Sequence, residues 1–88
     1  MKKIMVGTLE SSDCLITLSP SKTCVITITS VVYDTYGDQI ETVVRAVLKA
    51  QKLNQVHVDV QDKGALDYAI KARLETAIKR FKEAYDES

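Results

Sequence analysis

Residues 13–19 and 23–31 each alternate apolar and polar side chains. Cys14, Ile16 and Leu18 share one face of the first stretch, and Cys24, Ile26 and Ile28 share one face of the second. A period of two is the mark of a half-buried strand, and Ser19-Pro20-Ser21-Lys22 between the stretches is a turn signal, so the pattern predicts a β-hairpin. Residues 4–9 suggest a shorter extended piece ahead of it, weakened by Gly7. Beyond Gly37 the period lengthens: Ile40, Val43, Val44, Val47 and Leu48 form the stripe of an amphipathic helix beginning at Asp34 or Asp38 and ending at Lys52. Glu41, Arg45 and Lys49 line the opposite side at i, i+4 spacing. Val56, Val58 and Val60 then alternate with Gln55, His57 and Asp59 as a strand with one wet face. Leu66, Ile70, Leu74, Ala77, Ile78, Phe81 and Tyr85 mark a second helix, with residues 83–88 expected to fray.

The predicted order is β-β-α-β-α. Strands apolar mainly on one side and helices apolar on one stripe bury each other most economically as an α+β fold, a two-layer α/β sandwich with both helices on one face of a small mixed sheet. The passage from Thr23 to Val60 predicts a right-handed crossover between parallel strands. Eighty-eight residues allow one core, so residues 1–88 are read as a single domain.

Composition narrows the function more than the fold. Twelve basic residues balance twelve acidic ones, and no basic stripe carries interleaved aromatics, so nothing points to nucleic acid. Apolar stretches are interrupted every few residues and Met-Lys-Lys is followed by no sustained apolar segment, which predicts a cytoplasmic protein without a membrane span or signal peptide. Cys14 and Cys24 have neither a disulfide framework nor zinc spacing and are expected to be small buried apolar residues.

Catalytic apparatus is scarce. There is one histidine, no cluster of metal ligands and no glycine-rich phosphate loop. A triad of Ser11, His57 and Asp59 fails on geometry, because residues two apart on a strand point the same way and Asp59 would not stand behind His57. Asp62-Lys63-Gly64-Ala65-Leu66-Asp67 reads as a turn with an acidic helix cap, or as exposed amides and a lysine meeting an anion. The tyrosines, Tyr33, Tyr36, Tyr68 and Tyr85, fit packing at element ends with the hydroxyl at the rim. The stretch GTLESSD, residues 7–13, places Ser11 and Ser12 between acids with no base nearby. Its hydroxyls either close a turn or accept a group from a separate transferase.

GTLESSD near the N-terminus, Gly37-Asp38-Gln39-Ile40, Asp62-Lys63-Gly64-Ala65-Leu66-Asp67 and Ala72-Arg73-Leu74-Glu75-Thr76-Ala77 together resemble the acyl carrier protein, or gamma chain, of citrate lyase. The resemblance covers almost the whole chain, with four blocks in the same order. It implies a non-catalytic subunit that carries 2'-(5''-phosphoribosyl)-3'-dephospho-CoA, joined by a phosphodiester to Ser11, with Ser12 the second choice. It implies as partners a prosthetic-group transferase, an alpha subunit that exchanges acetyl for citryl on the carrier thioester, and a beta subunit that cleaves the citryl thioester to oxaloacetate. Asp62, Lys63 and Gly64 are expected to help present the arm or a partner. The competing reading is an unmodified α/β module that docks on a larger enzyme, which would have no use for GTLES.

Overall fold

A computed structural model describes residues 3–85. Six elements follow one another: β1 (Ile4–Gly7), β2 (Cys14–Pro20), β3 (Val25–Ser30), α1 (Tyr33–Ala50), β4 (Val56–Asp62) and α2 (Asp67–Tyr85). The sheet order is β1-β2-β4-β3, with β1 and β4 antiparallel to β2 and β3 parallel to β4. The two-layer α+β sandwich is as expected, with a genuine extra strand at the start.

The hairpin is not. β2 and β3 are antiparallel in direction but do not pair, because β4 lies between them, pairing Ile16 with Val60 on one side and Ile28 with Val60 on the other. Burial explains the order. Val56, Val58 and Val60 are wholly buried, and each is stabilised by on the order of 1.5–3 kcal/mol when its side chain leaves water, which a central strand secures. β3 offers only the partly buried Ile26 and Ile28 beside exposed Val25, Thr27 and Thr29, a composition suited to an edge. Residues 21–24 have only to cross the width of one intervening strand, ~10 Å, well within the reach of four residues. The α1 crossover does join parallel strands, as its sequence predicts.

Cys14, Ile16 and Leu18 of β2 and the three β4 valines face the helices. Ile40, Val44, Val47 and Leu48 of α1 and Ile70, Leu74, Ala77, Ile78 and Phe81 of α2 close the core over them. α1 starts earlier than either predicted position, at Tyr33. Ser30 secures that start, its hydroxyl accepting the Val32 amide at 3.0 Å while donating to Asp62 at 2.8 Å. α2 continues through Tyr85, whose ring lies 4.8 Å from that of Phe81, so residues 83–85 are helical rather than frayed; residues 86–88 lie outside the described residues. Leu66 precedes the helix and is exposed, not part of its buried stripe. Cys14 is buried as expected, but Cys24 is exposed, in the segment between β2 and β3 where no helix reaches it. No helix among the described residues is long and apolar enough to cross a membrane.

Candidate functional site

Ser11 and Ser12 occupy the two middle positions of a tight turn, closed by the Asp13 amide donating to the Glu10 carbonyl at 3.1 Å. Ser12 has φ 67°, the left-handed conformation that the third residue of a type II turn requires. Both serines are exposed. The turn is a branch off the β1–β2 connection, and that connection is possible because Gly7 takes φ 108° and leaves the Cys14 carbonyl free to accept the Thr8 amide at 3.1 Å.

Two further sets of bonds pin the turn. The Ser12 amide donates to the Lys63 carbonyl at 2.8 Å, and the Lys63 amide donates to the Asp13 carbonyl at 2.8 Å. The Asp13 carboxylate accepts the Thr8 hydroxyl at 2.7 Å, the Cys14 amide at 2.7 Å, and Arg73 through Nε at 3.2 Å and Nη2 at 2.8 Å. These donors, the Thr8 hydroxyl foremost and then the Cys14 amide and Arg73, hold the Asp13 carboxyl at about 2, below its usual 3.8. The serine turn is therefore an exposed tip on an anchored base.

Asp62, buried at the end of β4, organises the adjoining corner. Its carboxylate accepts the Ser30 hydroxyl at 2.8 Å and the Ala65 amide at 2.9 Å, and its carbonyl accepts the Val31 amide at 3.2 Å. The ends of β3 and β4, the lead into α2 and, through Lys63, the serine turn thus meet at one place. In place of the helix-capping aspartate expected for this stretch, Asp62 serves the turn before the helix, and Lys63 holds the serine turn through its backbone amide and carbonyl. Asp67 instead accepts a hydrogen bond from the Gln39 side chain, which links α2 to α1.

The turn overlooks an open depression of about 710 Å³, lined on one side by Thr8, Ser11 and Asp13 and on the other by Tyr68, Ala72 and Arg73 of α2. That lining holds no histidine, and its carboxylates are those of Glu10 and Asp13. Asp13 is engaged by four donors, and His57 lies on the opposite face of the sheet, where the Thr27 hydroxyl lies 3.1 Å from its Nε2 and donates to Asp59 at 2.8 Å. Ser11, His57 and Asp59 do not assemble. Cys14, beneath the turn, is fully buried, and desolvation, reinforced by the charges of Asp13 and Asp62, pushes its thiol up to about 11. It is an inert thiol.

Three of the four blocks noticed in the sequence, those containing Ser11, Lys63 and Arg73, converge here, while the block at Gln39 touches the site only through Asp67. The pairing of Asp13 with Arg73 spans 60 residues, which no local pattern encodes, whereas Thr8 reaches Asp13 across the turn, five residues away.

The family described as Malonate decarboxylase delta subunit (MdcD), of the acyl carrier class, matches residues 1–81. The chain is similar to the citrate lyase acyl carrier protein of Latilactobacillus sakei, at 51% identity over 83 residues, covering 91% of this chain and 82% of that one. That of Treponema denticola is 39% identical over 82 residues, covering 93% and 94%. Among solved structures, a Pseudomonas malonate decarboxylase hetero-tetramer in complex with malonate contains a chain of the same fold, with a TM-score of 0.76 at 19% identity, covering 89% of this chain and 81% of that one.

Proposed function

Since the chain belongs to the citrate lyase acyl carrier protein family, we propose that it carries a phosphoribosyl dephospho-CoA group on Ser11 as a non-catalytic subunit of a citrate lyase. The observation that carries this reading is the geometry of residues 10–13. A hydroxyl that must enter the active site of a modifying transferase needs an accessible tip, and one that must afterwards anchor a swinging arm needs a base that does not move. Ser11 has both, at the first central position of a turn whose flanks are held by Lys63 and by the Asp13–Arg73 pair.

The residues present fit such a group. Ser11 faces an open depression with room for a bulky substituent, and the Arg73 guanidinium at its edge is 40% exposed. Ser12 is the less suited acceptor, because its left-handed backbone and its amide bond to Lys63 tie it into the base of the turn. The bound group would supply a thiol for acyl thioester chemistry. This chain contributes the anchor and withholds competing chemistry. Cys14 is buried with a raised pKa, and the Asp13 carboxylate is saturated with donors. Acetyl and citryl transfer and cleavage then belong to alpha and beta partner subunits, to which tethering delivers the acyl group at high effective concentration without tight docking.

Intact and peptide mass spectrometry of the chain co-expressed with its modifying enzymes tests the proposal. A nucleotide-containing adduct on the peptide spanning residues 7–13, lost in Ser11→Ala and kept in Ser12→Ala, is expected. An adduct surviving Ser11→Ala moves the anchor to Ser12, and no adduct with competent modifying enzymes returns the chain to an unmodified docking module.

A further inference from the structure

The side of α2 that faces the serine turn has an unusual composition. Tyr68, Ala69, Ala72, Arg73 and Thr76 recur at i, i+1, i+4, i+5 and i+8, one side of the helix. The alanines make a shallow floor. At one end stands Tyr68, 73% exposed, a ring that no neighbour covers. At the other stands Arg73, which gives two of its five N–H donors to Asp13 and leaves the rest without a hydrogen-bond partner among the described residues. Turn anchoring uses two of the arginine's five donors, and packing covers little of the tyrosine.

We propose that this depression is a seat for the nucleotide portion of the group joined at Ser11, with Arg73 donating to the phosphodiester and Tyr68 stacking against the planar base. The inference rests on Ser11 being the anchor. The chemistry fits each end: a guanidinium already fixed in orientation by a carboxylate loses little further freedom on binding a phosphate oxygen, and an exposed ring over a floor of small side chains accepts a flat heterocycle. The size also fits, since about 710 Å³ falls within the range of sites that enclose ligands of this class. Because the ligand is tethered, a weak seat suffices, with stacking shifting the balance by a factor of about five to about 150 per base. Glu10 also lines the depression and opposes an anion there, which limits the hold. The seat would park the root of the arm against α2 and leave its thiol end free.

Amide chemical shifts of the labelled full chain, with and without the group, report the seat directly. Tyr68→Ala and Ala72→Glu alter it without touching the bonds that anchor the turn. In the modified wild type, shift changes are expected at Tyr68, Ala69, Ala72 and Thr76, with proximity between base protons and the Tyr68 ring. In both variants the changes should retreat to residues 10–13, and a phosphodiesterase should cleave the group about fivefold faster or more. Shift changes confined to residues 10–13 in the modified wild type, or equal cleavage rates in all three proteins, overturn the seat while leaving Ser11 as the anchor. A mass spectrum without adduct overturns the anchor and the seat together.

Discussion

Gly7→Ala isolates what holds the serine turn in place. A Cβ built on Gly7 would lie 1.9 Å from the Cys14 carbonyl oxygen, and the neighbour is backbone, so no rotamer relieves it. Relief to an ordinary contact needs a shift of more than 1 Å, which breaks the Thr8–Cys14 hydrogen bond, worth about 1 kcal/mol. The residue must also keep φ 108°, at a cost of about 1–2 kcal/mol for a side-chain-bearing residue. Together these predict a loss of about 2–3 kcal/mol. Gly64→Ala provides the control. It has φ 97° but nothing within 4 Å of the added carbon, so it should cost the conformational part alone, about 1–2 kcal/mol. Urea unfolding with unchanged slope gives both numbers, and the difference of about 1 kcal/mol should appear as a further fall of roughly 4–8 °C in midpoint temperature for a domain this small. Equal losses for the two variants would show that the Cys14 carbonyl yields freely and that the turn is not anchored from this side.

Asp13 titrates in a defined window: its carboxyl is at about 2 folded against 3.8 unfolded, so the unfolded chain binds the proton more readily and stability falls as pH drops from about 4 to about 2. The urea midpoint of the wild type relative to Asp13→Asn should therefore be constant above about pH 5 and shrink below it; a constant difference down to pH 2 refutes the network. Ser12→Gly should be neutral or stabilising by up to about 1 kcal/mol in urea unfolding, because it relieves the left-handed backbone, and should leave the adduct on Ser11. Lys63→Ala should leave the extent of modification within about twofold by mass spectrometry, since Lys63 holds the turn through its amide and carbonyl; a large loss would assign the work to its ammonium group.

Faces were legible along this chain where neighbours were not. The period-two runs at Cys14, Ile16, Leu18 and at Val56, Val58, Val60 identified the buried side of each strand, and the helical stripes of α1 and α2 identified theirs. Alternation is silent about which strand lies beside which, so residues 19–22 suggested a hairpin that the more deeply buried β4 displaces. Cys24 was misplaced for the same reason: alternation continued through it by sequence, but β3 begins one residue later. At the candidate site, the GTLESSD block and its exposed turn could be read locally, since Ser11 and Ser12 lie within a few residues of the bonds that close the turn. The Asp13–Arg73 pair and the backbone grip of Lys63 are tertiary, joining segments 60 and about 50 residues apart, and could be seen only once the sheet had brought them together.

The insertion of β4 between β2 and β3 bears on the order in which a nascent chain matures. GTLESSD leaves the ribosome early, and β2 and β3 follow with no partner for each other until α1 and then β4 have been made. Lys63, which grips the turn, arrives at the end of β4, and Arg73 only in the second turn of α2. Ser11 therefore sits on a loose peptide throughout synthesis and on an anchored tip only after the last helix has docked. Under the function proposed above, a modifying enzyme that recognises the anchored form would act on finished molecules and pass over truncated or misfolded ones.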